Sequence, residues 1–179
     1  VNPNNPLELT KEEVVLLNKL KHSFMNSEKL QRHLKFLLNK GSMYLKCNSN
    51  LLYHGCIPLD SEGELVEVNI DGINYKGKSY FDKIEAIIRE SFFKSENNEK
   101  DKRNRDFVWY LWCGKNSPLF GKDVMRTFER YFIDDKKIHK ENKNPYYAFI
   151  NEKETCVIIL REFGLNPENS HIINGHVPV

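Results

Sequence analysis

Two histidines in this sequence occupy the same kind of position. His54 follows the apolar run in "NLLYHG" and His176 ends "HIINGH", and each has a glycine beside it. A neutral imidazole at the end of a strand, with glycine allowing close backbone approach, suits a transition-metal site. Two histidines are nevertheless an incomplete set of ligands, and no carboxylate lies near either in the sequence. For each histidine alone, a hydrogen-bonded residue at a sheet edge is the simpler interpretation.

The first element that must position these residues is helical. Thr10 begins the capping-box pattern "TKEE", in which Glu13 can bond back to the Thr10 amide. Ser27 begins a second helix, "SEKLQRHLKFLLNKG", with Gly41 as its expected C-terminal stop. Apolar residues recur at helical spacing in both segments. The pattern therefore predicts an amphipathic helical hairpin over residues 10–40.

After Gly41 the pattern changes to short strands. "MYLKC" and "LLYHG", separated by "NSN", predict a β-hairpin, and Asp71-Gly72 predicts a second one within "LVEVNIDGINYKG". Ser79 is the expected cap of the helix "SYFDKIEAIIRESFFK". A polar stretch, 94–105, then breaks the chain.

The last third combines an aromatic segment with two further helices and a strand. Trp109 and Trp112 are assigned to packing, and "DVMRTFERYF", with Val124 on its apolar side, is predicted to be helical. "ETCVIILREFGL" predicts a helix that stops at Gly164, before the final strand into His176. Residues 43–179 are therefore expected to form a mixed α/β (α+β) core, within one partial domain over 1–179.

Composition narrows the function classes. Net charge is +2, with 27 basic and 25 acidic residues, so no general nucleic-acid or membrane footprint is expected. The basic stretches "NNEKDKRNR" and "DDKKIHKENK" contain acidic residues too and are interpreted as solvated loops. No apolar run reaches the ~20 residues of a membrane span. The cysteines show no CxxC pair and are expected to be free, buried thiols in a reducing cytoplasm; they are Cys47, Cys56, Cys113 and Cys156.

Longer segments resemble one enzyme family. "SEKLQRHLKFLLNKGSMYLKCNSNLLYHGCIPLD", "WCGKNSPLFGKDVMRTFERYF", "HKENKNPYY" and "INGHVPV" together are similar to the class III fructose-1,6-bisphosphatases. These are bacterial enzymes with the calcineurin-like metallophosphoesterase fold. The resemblance extends over nearly the whole chain, with the segments in the same order.

The resemblance implies a role for both histidines. "YHGCIP" resembles the His-Gly-Gly motif of phosphoprotein phosphatases, and "NGHVPV" resembles their closing Gly-His motif. By this likeness, His54 and His176 would bind the same one of two metal ions, usually manganese. The implied reaction is hydrolysis of fructose 1,6-bisphosphate to fructose 6-phosphate and phosphate in gluconeogenesis.

The substrate phosphates require positioned cations. "WCGKNSPLFGKDVMR" lies between the histidine motifs, where phosphoprotein phosphatases keep an arginine that contacts phosphate. Lys115, Lys122 and Arg126 are the candidates, with Lys115 favoured and solvated surface charges as the alternative. "HKENKNPYY" has no derived role beyond the suggestion of a lid over the substrate; its prominent residues are His139, Lys140, Asn144, Tyr146 and Tyr147.

Three motifs of the metallophosphoesterases are absent from the sequence. No Asp-x-His occurs, and no glycine is followed by Asp or Asn, which excludes Gly-Asp-x-x-Asp and Gly-Asn-His-Asp/Glu. These motifs supply the bridging aspartate, the other metal ligands and the proposed general acid. We therefore expect the chain to be an excerpt of a longer enzyme, with no catalytic residue of its own and no phosphatase activity in isolation.

Two other functions compete with the bisphosphatase. A phosphoprotein phosphatase of the same superfamily is the first, although Cys56 in "HGCIP" and the segment "NPYY" favour the bisphosphatase. A non-catalytic assembly or regulatory module is the second, because uncovered strands and apolar faces favour self-association into a homo-oligomer. A nucleic-acid-binding module has the least support.

Overall fold

The structure, a computed structural model, describes residues 4–5, 7–94 and 98–176. The predicted mixture of helices and short strands is confirmed. The chain divides into two compact units, Val1–Gly41 and Ser42–Val179. The end of the segment "INGHVPV", residues 177–179, lies outside the described residues. Within the described ranges, no helix has the length and apolar character needed to cross a bilayer.

The first unit contains two helices, α1 (Lys11–Met25) and α2 (Glu28–Lys40). The predicted capping box is confirmed, because Thr10 N donates to Glu13 at 2.7 Å and Glu13 N donates to Thr10 Oγ1 at 3.2 Å. Gly41 ends α2 as predicted, in an extended backbone conformation. Neither helix buries a residue. The helices are therefore confirmed, whereas the predicted hairpin has no buried apolar face in the described part of the chain.

A three-stranded sheet forms the centre of the second unit. Its strands are β1 (Tyr44–Cys47), β2 (Asn50–Tyr53) and β5 (His171–Asn174), in the order β1-β2-β5. β1 pairs antiparallel with β2 through the predicted turn, where Asn48 and Ser49 both have positive φ, as a two-residue hairpin loop requires. β5 pairs parallel with β2. The sheet thus joins the two segments that precede the predicted histidines.

The second predicted hairpin is also confirmed. β3 (Val68–Ile70) and β4 (Ile73–Tyr75) pair antiparallel around Asp71 and Gly72, both with positive φ. The hairpin packs on a small apolar cluster with the two long helices that follow. The cluster's buried members are Ile70, Tyr80, Ile84, Ile87 and Leu111.

Five helices complete the second unit. They are α3 (Gly77–Phe93), α4 (Glu99–Cys113), α5 (Thr127–Phe132), α6 (Tyr146–Phe149) and α7 (Lys153–Glu162). The predicted cap at Ser79 is wrong: α3 begins two residues earlier, and Ser79 Oγ instead accepts from Lys76 N at 3.1 Å within the first turn. α7 ends where predicted, with Gly164 at φ +71° and Leu165 N donating to Leu160 O at 2.8 Å.

Two further predictions of secondary structure are also wrong. The polar stretch 94–105 contains the start of α4, capped by Asn98, whose side chain accepts from Asp101 N at 2.9 Å; its residues 95–97 lie outside the described ranges. A good cap and early acidic residues make this charged segment helical. Val124 lies before α5 and is not part of it.

The packing role predicted for the tryptophans is wrong within this chain. Trp109 and Trp112 are each 70% exposed, because the inward face of α4 is formed by Leu111 and its neighbours instead. The cysteines are free, as predicted, but only Cys56 is buried, and Cys47 is exposed at the end of β1. A buried, weakly acidic thiol is inert, and burial raises the pKa of Cys56 to about 12.

The main core lies on one face of the three-stranded sheet. Leu51 and Tyr53 of β2 pack there with α3 and α7. The other face carries Leu45 and Ile173, which are 55% and 52% exposed. One face of the sheet therefore stabilises the unit and holds the ends of β2 and β5 in place.

Candidate metal centre

The parallel pairing of β2 with β5 brings the two predicted histidines together. Tyr53 lies opposite Asn174 in the register, so His54 and His176 follow at the same end of the sheet. The amide of Gly175 donates to the His54 carbonyl at 3.2 Å. His54 Nε2 lies 3.1 Å from His176 Nδ1, and the rings are at 86° to one another. Both side chains are exposed, so the pair is open to a ligand.

The spacing of the facing nitrogens fits two ligands of one transition-metal ion. Imidazole nitrogens bound at about 2.1 Å in adjacent positions lie about 3 Å apart, close to the 3.1 Å between His54 and His176. The described residues contain no group of three His, Cys, Asp or Glu side chains that could hold an ion. The pair can therefore supply part of a metal site, and its remaining ligands must come from elsewhere.

Close backbone contact holds the loop after His54. Cys56 N donates to Pro118 O at 2.9 Å, and a Cβ added to Gly55 would lie only 1.9 Å from the same oxygen. Only glycine can therefore occupy position 55 without moving the backbone. His176 has φ +73°, which is uncommon for a residue with a side chain. Its backbone conformation turns the imidazole toward His54.

A chain of buried hydroxyls and an amide lies behind the histidines. Tyr53 Oη and Tyr146 Oη are 2.6 Å apart, and Asn174 Nδ2 donates to Tyr146 Oη at 2.9 Å. Asn174 Nδ2 also donates to Gly55 O at 3.2 Å. Burial raises the pKa of Tyr146 to about 12, so its hydroxyl is protonated at neutral pH. The network ties the residue before His54 to the strand end that carries His176.

We expect Tyr146→Phe to destabilise the protein by about 1–3 kcal/mol, because the buried Tyr53 hydroxyl and Asn174 amide lose a partner. Urea unfolding at pH 7 measures the change. Tyr147→Phe is the matched control, since the Tyr147 hydroxyl is buried and bonds to no nitrogen or oxygen among the described residues, its one recorded partner being the weakly bonding Cys56 thiol. Equal destabilisation by the two variants would contradict a role for the network.

The segment "HKENKNPYY" is partly an internal support, and the lid suggested for it stays a prediction. Asn144 is buried and its Oδ1 accepts from Leu59 N at 3.1 Å and from Tyr146 N at 3.0 Å. Tyr146 is 1% exposed, whereas Tyr147 is half-buried. His139 Nε2 lies 2.6 Å from Ile133 O, and Lys140 is exposed.

The predicted phosphate-binding cations do not form one group. Lys122 Nζ contacts Glu141 at 2.8 Å, and Arg126 N donates to the same carboxylate at 2.8 Å. Arg130, which the sequence did not single out, lies 3.2 Å from Glu141. The favoured candidate, Lys115, is exposed in the turn after α4 and is not part of this cluster. Glu141 was also missed, because nothing in its local sequence marks it as the shared partner.

Glu141 creates a pH dependence of stability. The hydrogen bond from Lys122, followed by that from the Arg126 amide, holds its pKa below the ordinary 4.5, and its side chain is only 9% exposed. A lowered folded-state pKa stabilises the fold above about pH 4.5, and the contribution is lost as pH falls through the lower value. We expect Glu141→Gln to cost about 2 kcal/mol at pH 7 and progressively less as the pH falls below 4.5, by urea unfolding. The exposed Glu168→Gln is the control; a pH-independent loss in E141Q would contradict the prediction.

Comparison with known proteins agrees with the family resemblance of the sequence. A family model described as Firmicute fructose-1,6-bisphosphatase matches residues 1–179. The chain is similar to proteins named fructose-1,6-bisphosphatase class 3 from Fusobacterium nucleatum (59% identity), Alkaliphilus metalliredigens (57%) and Clostridium acetobutylicum (55%). Each comparison covers 100% of this chain but only 27–28% of the relative. No solved structure matches significantly.

Proposed function

Because the chain belongs to the Firmicute fructose-1,6-bisphosphatase family, we propose that it is part of an enzyme that hydrolyses fructose 1,6-bisphosphate to fructose 6-phosphate and phosphate. The observation that carries the proposal is the 3.1 Å approach of His54 and His176 at the ends of two adjacent parallel strands. Within the proposal, the full enzyme has a calcineurin-like sandwich fold, uses manganese and acts in gluconeogenesis in the cytoplasm.

The residues of this chain have distinct roles in the proposed reaction. His54 and His176 bind one manganese ion through the facing nitrogens, and the Tyr53–Tyr146–Asn174 network orients both strand ends. When bound, manganese supplies Lewis-acid stabilisation of the phosphoryl oxygens. The remaining ligands and the proton donor to the leaving oxygen belong to the rest of the polypeptide.

Two of the candidate phosphate contacts, Lys122 and Arg126, belong to the cation cluster around Glu141. Arg126 combines a contact to Glu129 at 2.9 Å with an Nε that is buried and without a hydrogen-bond partner among the described residues. An unpaired guanidinium donor can bind a phosphate oxygen once movement of a neighbouring group exposes it. Lys122 and Arg126 therefore remain in the proposal, and Lys115 is an exposed alternative.

We propose that the 179-residue chain alone is inactive. It spans 27–28% of its relatives' length and brings two histidines, but no third ligand among the described residues, to the site. Orthophosphate release from fructose 1,6-bisphosphate with added Mn²⁺ tests this. The full-length polypeptide should turn over at about 1 per second or faster, and the chain alone should not differ from buffer.

The same assay separates the alternatives. Faster release of phosphate from a phosphoserine peptide than from the sugar bisphosphate would favour a phosphoprotein phosphatase. If the full-length polypeptide hydrolyses neither substrate and forms a defined oligomer by light scattering, the result would favour an assembly module. Normal turnover by the 179-residue chain alone would overturn the proposed division of the active site.

A further inference from the structure

β5 leaves one edge of its sheet open in the part of the chain that is described. β2 is its only strand partner there. Gly175 N donates to His54 O, and donors alternate between the two sides of a strand. In this register, the amides of His171, Ile173 and Gly175 point toward β2. The backbone N–H and C=O groups of Ile172 and Asn174 therefore point away from the sheet.

A groove lies along this open edge, on the core side of the sheet. α7 contributes Val157 and Leu160 to the groove, and Ile150 and Ile172 complete its apolar wall. Ser170, just before β5, also lines it. Ser170 is 9% exposed, and its Oγ is buried with no hydrogen-bond partner among the described residues. A buried hydroxyl without a partner is costly, which indicates that a polar group normally contacts it.

We propose that an extended strand from the same polypeptide, outside these 179 residues, pairs with β5 at Ile172 and Asn174. The backbone of the added strand forms hydrogen bonds with the N–H and C=O groups of Ile172 and Asn174 that point away from the sheet. One of its apolar side chains enters the groove, and one of its polar atoms contacts Ser170 Oγ. The similar proteins are long enough to contain such a strand, because this chain covers only 27–28% of their length. A second copy is a poorer occupant: β5 has four residues, far from the roughly 20–30 per side of a stable interface.

Hydrogen exchange of single backbone amides in the unmodified full-length polypeptide tests the proposal. Ile173 bonds to β2 and is the internal reference for a slowly exchanging amide. The amides of Ile172 and Asn174 should exchange within about tenfold of Ile173, at every protein concentration. Exchange near the rate of an unprotected amide would overturn the proposal. Protection that appears only as the protein associates would assign the edge to a second copy instead.

A pair of variants gives an independent measurement. Ile172→Pro removes the outward N–H, which an open edge tolerates but a paired edge does not. Ile172→Ala removes the same packing and keeps the N–H. The unfolding midpoint of I172P should be a few degrees below that of I172A; equal midpoints would overturn the proposal. The inference rests on the proposed longer polypeptide but not on its activity, so exchange and phosphate release can fail separately.

Discussion

His176→Asn is expected to lower the proposed fructose-1,6-bisphosphatase activity of the full-length polypeptide by about 1,000-fold or more, equivalent to about 4 kcal/mol of transition-state stabilisation. The imidazole faces His54 at 3.1 Å and is half of the proposed pair of metal ligands. Asparagine is the informative replacement, because it tolerates the positive φ of this position and so removes the ring with little backbone change. Steady-state phosphate release and bound manganese per chain are the two measurements.

The control for this variant lies on the same strand. His171 is exposed at the opposite end of β5, where its Nδ1 lies 3.2 Å from Asn50 Oδ1. His171→Asn should keep both the activity and the manganese content. Loss of activity in H176N with full manganese content would remove the metal-binding role of His176, and unchanged activity would remove the histidine pair from the site.

Gly55→Ala is expected to destabilise the protein by about 3 kcal/mol or more. The added Cβ would lie 1.9 Å from Pro118 O and 3.1 Å from its carbonyl carbon, and both atoms belong to backbone that cannot move as a side chain can. The loop after His54 would have to separate from the Pro118 segment, breaking the Cys56 N to Pro118 O bond. Thermal or urea unfolding measures the loss.

The neighbouring histidine loop offers a matched comparison. A Cβ on Gly175 would meet His54 Nδ1 at 3.8 Å and His54 O at 3.9 Å, which are ordinary contacts. Gly175→Ala should therefore change stability by less than about 1 kcal/mol. Similar losses in G55A and G175A would show that close contact with Pro118 is not what requires glycine at position 55.

Several elements could be predicted from residues that lie close together in the sequence. Both hairpin turns, at Asn48-Ser49 and Asp71-Gly72, adopt the positive φ values that Asn, Asp and Gly favour, with Ser49 in the same region. The capping box at Thr10 and the stop at Gly164 are equally local. Each depends on residues a few positions apart, so the printed sequence contains the whole interaction.

Long-range contacts could not be predicted in the same way. Glu141 reaches Lys122 across 19 residues, and Asn174 reaches Gly55 across 119. Both residues lie in segments that resemble the family, but no local pattern identifies their partners, because the packing of separate elements selects them. The exposure of Trp109 was missed for a different reason. A tryptophan is usually buried, but the inward-facing positions of α4 are occupied by other residues.

The parallel pairing of β2 with β5 has a consequence for the order of folding. His54 and His176 are 122 positions apart, whereas the hairpin of β1 and β2 closes over two residues. Hairpins form within microseconds, while closing a long loop carries a larger entropic cost and generally comes later. We infer that this long-range contact forms after the rate-limiting step, where an ion held by the proposed histidine pair would stabilise it. Bound metal should therefore slow unfolding and leave the folding rate almost unchanged. The folded state would then have a longer lifetime with metal bound than without it.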